Sequence, residues 1–424
     1  MKAGQIVLRL VCAALVWGGA TRVEARSLAE QVNSFFGPGG LALDVRHSNP
    51  NLPPHTADFS SSTLATLGLL IQQLAPRAAD FPAISMVPGL TFRYDPQAQL
   101  FERSSASLGP VFVEQAQTLG RGKLDLGFSY LFIDFDKLNG EDLDRLMFTA
   151  HHRPDPISGN DTATVRFERF TLQSHVASFF ATYGHTDRWD VNLLIPVVST
   201  YWNMRSRVRL NNESGPFHFF DNDLQITERT FSAKDDKTGV GDLQLRTKYH
   251  LLSSGMSNLA SGLVLRLPTG EEENFQGIGD TTLTPFLALS QEYSRFHTHA
   301  SVGIELNFAD SSRSRVRHAA GVTLQVIEQL AFSVDVIGSS NLTAYRISAN
   351  VPQFDANASE TAPPIPSGFT RVTKTLSTDM VDLAVGFKVN PFRSTVGFFT
   401  VFVPLNHDGL RADLIPAAGL EVSF

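Results

Sequence analysis

Apolar and polar residues alternate one for one, in stretch after stretch, between Lys123 and Phe424. Within residues 241–251, Leu243, Leu245, Thr247 and Tyr249 fall on one side, while Asp242, Gln244, Arg246, Lys248 and His250 fall on the other. A period of two is the mark of a β-strand whose two faces meet different surroundings. Twelve such segments are readable: 123–135, 164–183, 189–202, 241–251, 259–267, 281–292, 295–308, 314–327, 330–337, 377–389, 395–403 and 414–424. Most are long enough for a tilted strand, which needs about 9 to 11 residues to cross a bilayer. Segment 395–403 is apolar on both faces and fits the pattern least well.

Connection lengths sort in the same way. Residues 184–188, 253–258, 293–294, 328–329 and 390–392 are short links, whereas 136–163, 203–240, 268–280 and 338–376 are long. A barrel of the bacterial outer membrane has short periplasmic turns, longer extracellular loops and an even number of strands. The expected fold is therefore all-β, a transmembrane antiparallel up-and-down barrel of about 12 strands, spanning residues 123–424. A hydrophobic content of 42% and a mean hydropathy of −0.04 suit strands that are half polar, and are too low for a helical membrane protein. The net charge of −7 gives no reason to expect a nucleic-acid partner.

Residues 1–25 read as a secretory signal: Lys2 and Arg9 precede an apolar core, and Val23-Glu24-Ala25 offers a small-residue cleavage site. The single cysteine, Cys12, lies inside that core, so no disulfide is expected after export. Phe424 places an aromatic at the expected periplasmic interface and is the expected signal to the barrel-assembly machinery.

Residues 26–122 do not alternate over spanning lengths. A short helix is expected near 60–74, where Leu64, Leu67, Leu70, Ile71 and Leu74 have helical spacing. A hairpin is expected around Asp95-Pro96; were it longer than it looks, the barrel would have 14 strands. The segment would either fold into the lumen as a plug or sit in the periplasm against a partner, with the N-terminal residues on the periplasmic side.

Three stretches carry a family resemblance: Thr238-Gly239-Val240-Gly241-Asp242-Leu243 running into Lys248-Tyr249; Leu265-Arg266-Leu267-Pro268-Thr269-Gly270 followed by Gly277-Ile278-Gly279-Asp280; and Tyr183-Gly184 with Thr186-Asp187-Arg188-Trp189-Asp190. Together they resemble the outer-membrane transporters grouped as the "MetA pathway of phenol degradation" family, over residues 123–424. The resemblance implies a porin-like Gram-negative barrel that passes small, often aromatic or hydrophobic molecules, and it assigns no residue to phenol. Read physically, the motifs are structural: glycines relieve crowding where strands bend. Gly239-Val240-Gly241 lacks the helix and lysine of a phosphate-binding loop.

The expected lumen face is rich in both signs of charge. His175 and Lys388 belong to it, and a constriction is expected from Arg246, Lys248, His250, His297, His299, Glu305, Arg315 and Arg317. Charges in a narrow lumen must pair, so the plain reading is a packed network; the functional one is a polar filter. Arg313, Arg315 and Arg317 would line the extracellular mouth and favour anions. Arg205, Arg207 and Arg209 share the parity of lipid-facing Ile195 and Val197, so they face outward, toward lipopolysaccharide phosphates or, more simply, toward Asp221, Asp223 or Glu228. His297-Thr298-His299-Ala300-Ser301 lies at the periplasmic start of its strand, away from where a lipid hydrolase would meet its substrate. Glu271-Glu272-Glu273 is read as a solvated loop. No catalytic residue, metal or cofactor is expected. The expected activity is passive diffusion of small hydrophobic or aromatic solutes across the outer membrane, with outer-membrane lipids as surroundings. The alternative is a closed structural or adhesive barrel that engages a periplasmic partner.

Overall fold

The computed structural model describes residues 26–33, 35–36, 43, 45–47, 79–87, 92–95, 100–103, 108–151, 161–212, 218–221, 224–343, 345–353, 368–376, 379–392 and 394–424. The signal expected at 1–25 and the helix expected near 60–74 lie outside them.

The alternating segments form twelve long strands: β1 (Leu124–Phe135), β2 (Thr162–Thr186), β3 (Trp189–Asn211), β4 (Leu243–Ser254), β5 (Ser257–Leu267), β6 (Thr282–Tyr293), β7 (Phe296–Asn307), β8 (Arg315–Ile327), β9 (Leu330–Asn341), β10 (Met380–Phe392), β11 (Thr395–Pro404) and β12 (Ile415–Ser423). Each pairs antiparallel with its neighbours in the chain, and β12 pairs with β1, from Ala417 opposite Leu131 to Ser423 opposite Asp125, so the ring is closed. Closure leaves the ring itself no free edge for a second chain to extend. The hairpin Phe92–Asp95 with Leu100–Arg103 pairs only with itself, which sets the ring at twelve strands.

Strands β2 and β3 rise well beyond the others. Below, β3 pairs with β4, from Tyr249 opposite Trp189 to Gln244 opposite Leu194; above, it pairs with Glu228–Val240, up to Glu228 opposite Arg209. Met147–His151 adds to the other side of β2. These four strands make an arm above the barrel, where the sequence suggested loops. The alternation persists in Arg205, Arg207 and Arg209 against Met204, Ser206, Val208 and Leu210, but the outer residues have changed from apolar to charged.

Short links fall at one end of the barrel. There, Gly184 has a positional reason to be glycine: a Cβ would lie 1.8 Å from the Gly120 carbonyl oxygen. The close approach allows two backbone hydrogen bonds, Gly122 N to Gly184 O at 2.7 Å and Gly184 N to Lys123 O at 3.0 Å. Gly184→Val should therefore cost about 1 to 3 kcal/mol, the usual range for overpacking. Urea unfolding of the detergent-solubilised barrel reads this directly; an unchanged midpoint would show that the backbone yields there.

The early residues correct an expectation. They sit at the extracellular end, opposite the short turns. Helix α1 (Leu28–Asn33) starts with a reciprocal cap, Ser27 N to Glu30 Oε2 and Glu30 N to Ser27 Oγ, both at 3.1 Å. Leu28 N donates to Asn274 Oδ1 at 3.0 Å in the β5–β6 loop. Phe35 and Phe36 pack against the arm's inner face, with ring centroids 6.4 Å from Trp202 and 5.3 Å from Phe231, respectively.

Candidate lumen site

Inward-facing residues of β2 to β11 meet residues 79–87 and 108–119, which run inside the ring. Backbone groups of the inner segment are satisfied by the wall: Thr182 Oγ1 donates to Met86 O at 2.6 Å, Ala116 N to Ser290 Oγ at 2.9 Å and Leu119 N to Asp190 Oδ2 at 2.9 Å. Lys388 donates to the carbonyls of Leu108 and Pro110 at 2.9 and 2.6 Å. These bonds answer the need of irregular backbone for partners away from water.

Two carboxylates on the inner segment organise the wall's cations. Asp80 is bound by Arg315, by Arg317 at 2.7 Å and, at 3.8 Å, by Arg266. Glu305 completes this group, with Arg315 at 2.9 Å and Arg317 at 2.6 Å. Glu114 lies 3.9 Å from Arg246 and 3.6 Å from Lys248, and accepts from Met86 N at 2.8 Å. His299 bonds Asp335 at 2.7 Å, and His250 Nδ1 lies 3.1 Å from Ala116 O. His297 is buried with Nε2 unpartnered.

All eight residues expected at a constriction face inward, but they do not form one ring. The cations and two of the histidines divide among Asp80, Glu305, Glu114, Asp335 and the backbone at Ala116, while His297 Nε2 has no partner among the described residues. Arg315 and Arg317 are held by carboxylates, which replaces the expected anion-attracting mouth with a neutralised network. Arg313 also has carboxylate neighbours, Asp280 at 3.0 Å and Glu272 at 3.6 Å. His175 faces outward, where its Nδ1 meets Tyr130 Oη at 2.6 Å, because its parity matches lipid-facing Ala177 and Phe179.

Asp80 and Glu114 lie on a segment without periodicity, so the sequence offered no signal for their role. One trace was present. Strand β11 is apolar on both faces because its inner side, Phe398 and Phe402, packs on Phe112 of the inner segment, with centroids 6.2 and 4.7 Å away.

Two of the three quoted stretches converge on a second hub, Asp242, which lies between Glu228–Val240 and β4. Its carboxylate accepts from Arg266 Nε at 2.8 Å, Gly270 N at 3.0 Å and Ile278 N at 2.8 Å. They tie a strand to its loop, which is a structural role.

A cavity of about 170 Å³ remains between the inner segment and the wall. Phe81, Ile84, Phe112, Val264 and Phe286 give it an apolar side, and Arg246, Arg266, Arg317, Glu114 and Glu305 a polar one. Beside it the wall is weakened. The β6–β7 ladder runs Leu283 opposite Leu306 and then Phe286 opposite Gly303, skipping Thr284 and Pro285. Proline has no N–H to give a ladder, which accounts for the gap. The Phe286 ring lies over Gly262, where a Cβ would come within 2.4 Å of its Cζ. On the outer side, an open groove is lined by Trp189, Tyr249, Leu263, Leu287 and Ile304, and Phe286, Val302 and Gly303 border both spaces.

The outer wall carries Leu126, Val191, Leu245, Leu263, Leu287, Val302, Ile304, Val334, Val385 and Leu420, all exposed. Tyr183, Trp189, Tyr249, Tyr293 and Phe296 form an exposed aromatic collar at the short-turn end. A closed ring with such a belt and collar is stable only with hydrocarbon around it. The chain is an outer-membrane β-barrel.

The family model described as "Putative MetA-pathway of phenol degradation" matches residues 152–312 of this barrel. No curated protein matches it by sequence. Among solved structures, the barrel is similar to an outer-membrane channel from Pseudomonas putida F1, at 13% identity and a TM-score of 0.44, covering 73% of this chain and 98% of that one. It is also similar to the CymD monoaromatic hydrocarbon channel, at 12% identity and a TM-score of 0.34, covering 72% and 89%. A FadL homologue from Pseudomonas aeruginosa aligns at 10% identity and a TM-score of 0.32, covering 80% and 96%.

Proposed function

We propose that this barrel passes small, largely apolar or aromatic solutes across the outer membrane by passive diffusion, without covalent chemistry, and that residues 79–87 and 108–119 act as its plug. The observation that carries this reading is the amphipathic cavity set against the wall gap at Pro285. An apolar cavity of roughly 150 Å³ accepts a benzene ring. Phe81, Phe112 and Phe286 supply aromatic surface for such a ring, while Arg246 and Arg317 offer donors to a hydroxyl or carboxylate on it. From there, movement of one side chain, Phe286, joins the cavity to the outer groove, so an apolar solute has a path into the bilayer.

The test is uptake of a radiolabelled monoaromatic compound by Gram-negative cells that express the barrel, against cells that lack it. Phe286→Ala should raise uptake severalfold. Equal uptake with and without the barrel would end the proposal. The second reading, a closed structural or adhesive barrel with a periplasmic partner, is supported by the number of bonds that anchor the inner segment, above all those of Asp80 and Lys388. Planar-bilayer conductance separates the two: a barrel shut both with the plug tied and with it released is structural. We further propose Phe424, exposed at the β12–β1 seam, as the residue through which assembly machinery engages the chain.

A further inference from the structure

The outward face of the arm carries Arg166, Arg169, Arg205, Arg207, Arg209 and Lys234, all exposed. Two carboxylates sit among them. Glu168 lies 3.2 Å from Arg205 and 2.6 Å from Arg207, and Glu228 lies 4.0 Å from Arg207 and 3.8 Å from Arg209. This confirms part of the expected pairing, through Glu228, and adds Glu168; Asp223 lies outside the described residues.

The arrangement is poor for the protein alone. Arg166 stands directly opposite Arg207, and Arg169 directly opposite Arg205. Like charges facing across a ladder are destabilising, and Glu168 and Glu228 offset only part of the six cations, so this face favours a further anion. No described residue covers this face; the apolar packing of the arm, with Phe167, Trp202 and Phe231, is on its other side.

Height decides which anion. Along β3 the outward residues run Ile195, Val197, Ser199, Tyr201, Asn203 and then Arg205. At about 3.3 Å per residue and a tilt of roughly 40°, Arg205 lies about 10 Å above the ring of Tyr201, where the apolar belt has ended. Phosphorylated headgroups of the outer leaflet occupy that layer, and arginine pairs with phosphate through two parallel N–H···O bonds.

We propose that this arginine strip is a binding site for the phosphates of the outer-leaflet glycolipid, lipid A and its inner core. The site is independent of what the lumen conducts. It sits on the side of the barrel where β2 and β3 are longest and fixes one glycolipid against the arm.

Binding of three probes to the full detergent-solubilised barrel tests this: bisphosphorylated lipid A, the same lipid A with both phosphates removed, and inorganic phosphate. Bisphosphorylated lipid A should bind at least about tenfold more tightly than the dephosphorylated form. The triple variant Arg169→Gln, Arg205→Gln, Arg207→Gln should lose that difference. Glu168→Gln should tighten binding about threefold, because it frees two guanidinium groups. A purely structural role predicts the opposite for Glu168→Gln, since removing the bridge would only loosen the arm. Equal binding of the two lipids, an unchanged triple variant with native heat-modifiability, or no gain in Glu168→Gln would each overturn the proposal. So would inorganic phosphate binding as tightly as lipid A, which would mark a site for a free anion. If the triple variant fails to assemble, the lipid comparison on the unaltered barrel and the Glu168→Gln result still decide.

Discussion

Asp80→Ala should lower the stability of the barrel by about 3 to 5 kcal/mol and raise its conductance. Breaking a buried ion pair by removing one partner costs that much because the other charge is left uncompensated. Asp80 serves three guanidinium groups, two of them on β8, and its side chain is 3% exposed. Glu305 alone cannot neutralise Arg315 and Arg317, and Arg266 keeps Asp242 as its carboxylate partner. The same change unties residues 79–87 from the wall, so a path through the lumen should widen. Thermal unfolding of the detergent-solubilised barrel and single-channel recording measure the two effects separately. Loss of stability without any change in conductance would favour the closed-barrel reading; no loss of stability would show that Asp80 is not the hub its distances describe.

Phe424→Asp should sharply reduce the amount of barrel in the outer membrane. The residue closes the seam, with Phe424 N donating to Leu124 O at 2.8 Å and Leu124 N to Phe424 O at 3.2 Å, and it is 63% exposed. A carboxylate there replaces an interfacial aromatic with a charge at the edge of the hydrocarbon. In β-barrels a charge on the lipid face costs little near the interface, about 0 to 1 kcal/mol, so simple stability cannot account for a large loss. A strong drop in membrane levels would therefore report on assembly. Quantitative immunoblotting of outer-membrane fractions, with refolding of the purified variant as the control, distinguishes the causes. Normal levels would remove Phe424 from any assembly role.

All twelve long strands were legible because a wall between lipid and a polar lumen imposes a period of two on every residue. What crosses that wall left no such mark. Asp80 and Glu114 meet partners more than a hundred residues away, and nothing local marks a carboxylate as the counter-charge of a distant arginine. The inner face of β11 was the exception: its lost polarity was the imprint of Phe112. The arm was misread as loop because its alternation changes chemistry, from apolar against polar to charged against apolar, once the strands leave the bilayer. Parity succeeded for Arg205, Arg207 and Arg209; His175 was placed in the lumen against its parity, and it shares a lipid-facing row in which Tyr130 meets its ring nitrogen.

The position of α1 constrains the order in which the molecule is made. Leu28, Phe35 and Phe36 are seated at the extracellular end, while Gly122 is hydrogen-bonded at the periplasmic turn, and residues 79–87 and 108–119 occupy the space between. A finished ring would have to admit this strand of chain lengthwise past Arg315, Arg246 and Lys388. It is far easier for β12 to find β1 around a thread already in place. The seam at Leu124 and Phe424 is then the last stitch, and the barrel is sewn shut about its own N-terminal residues.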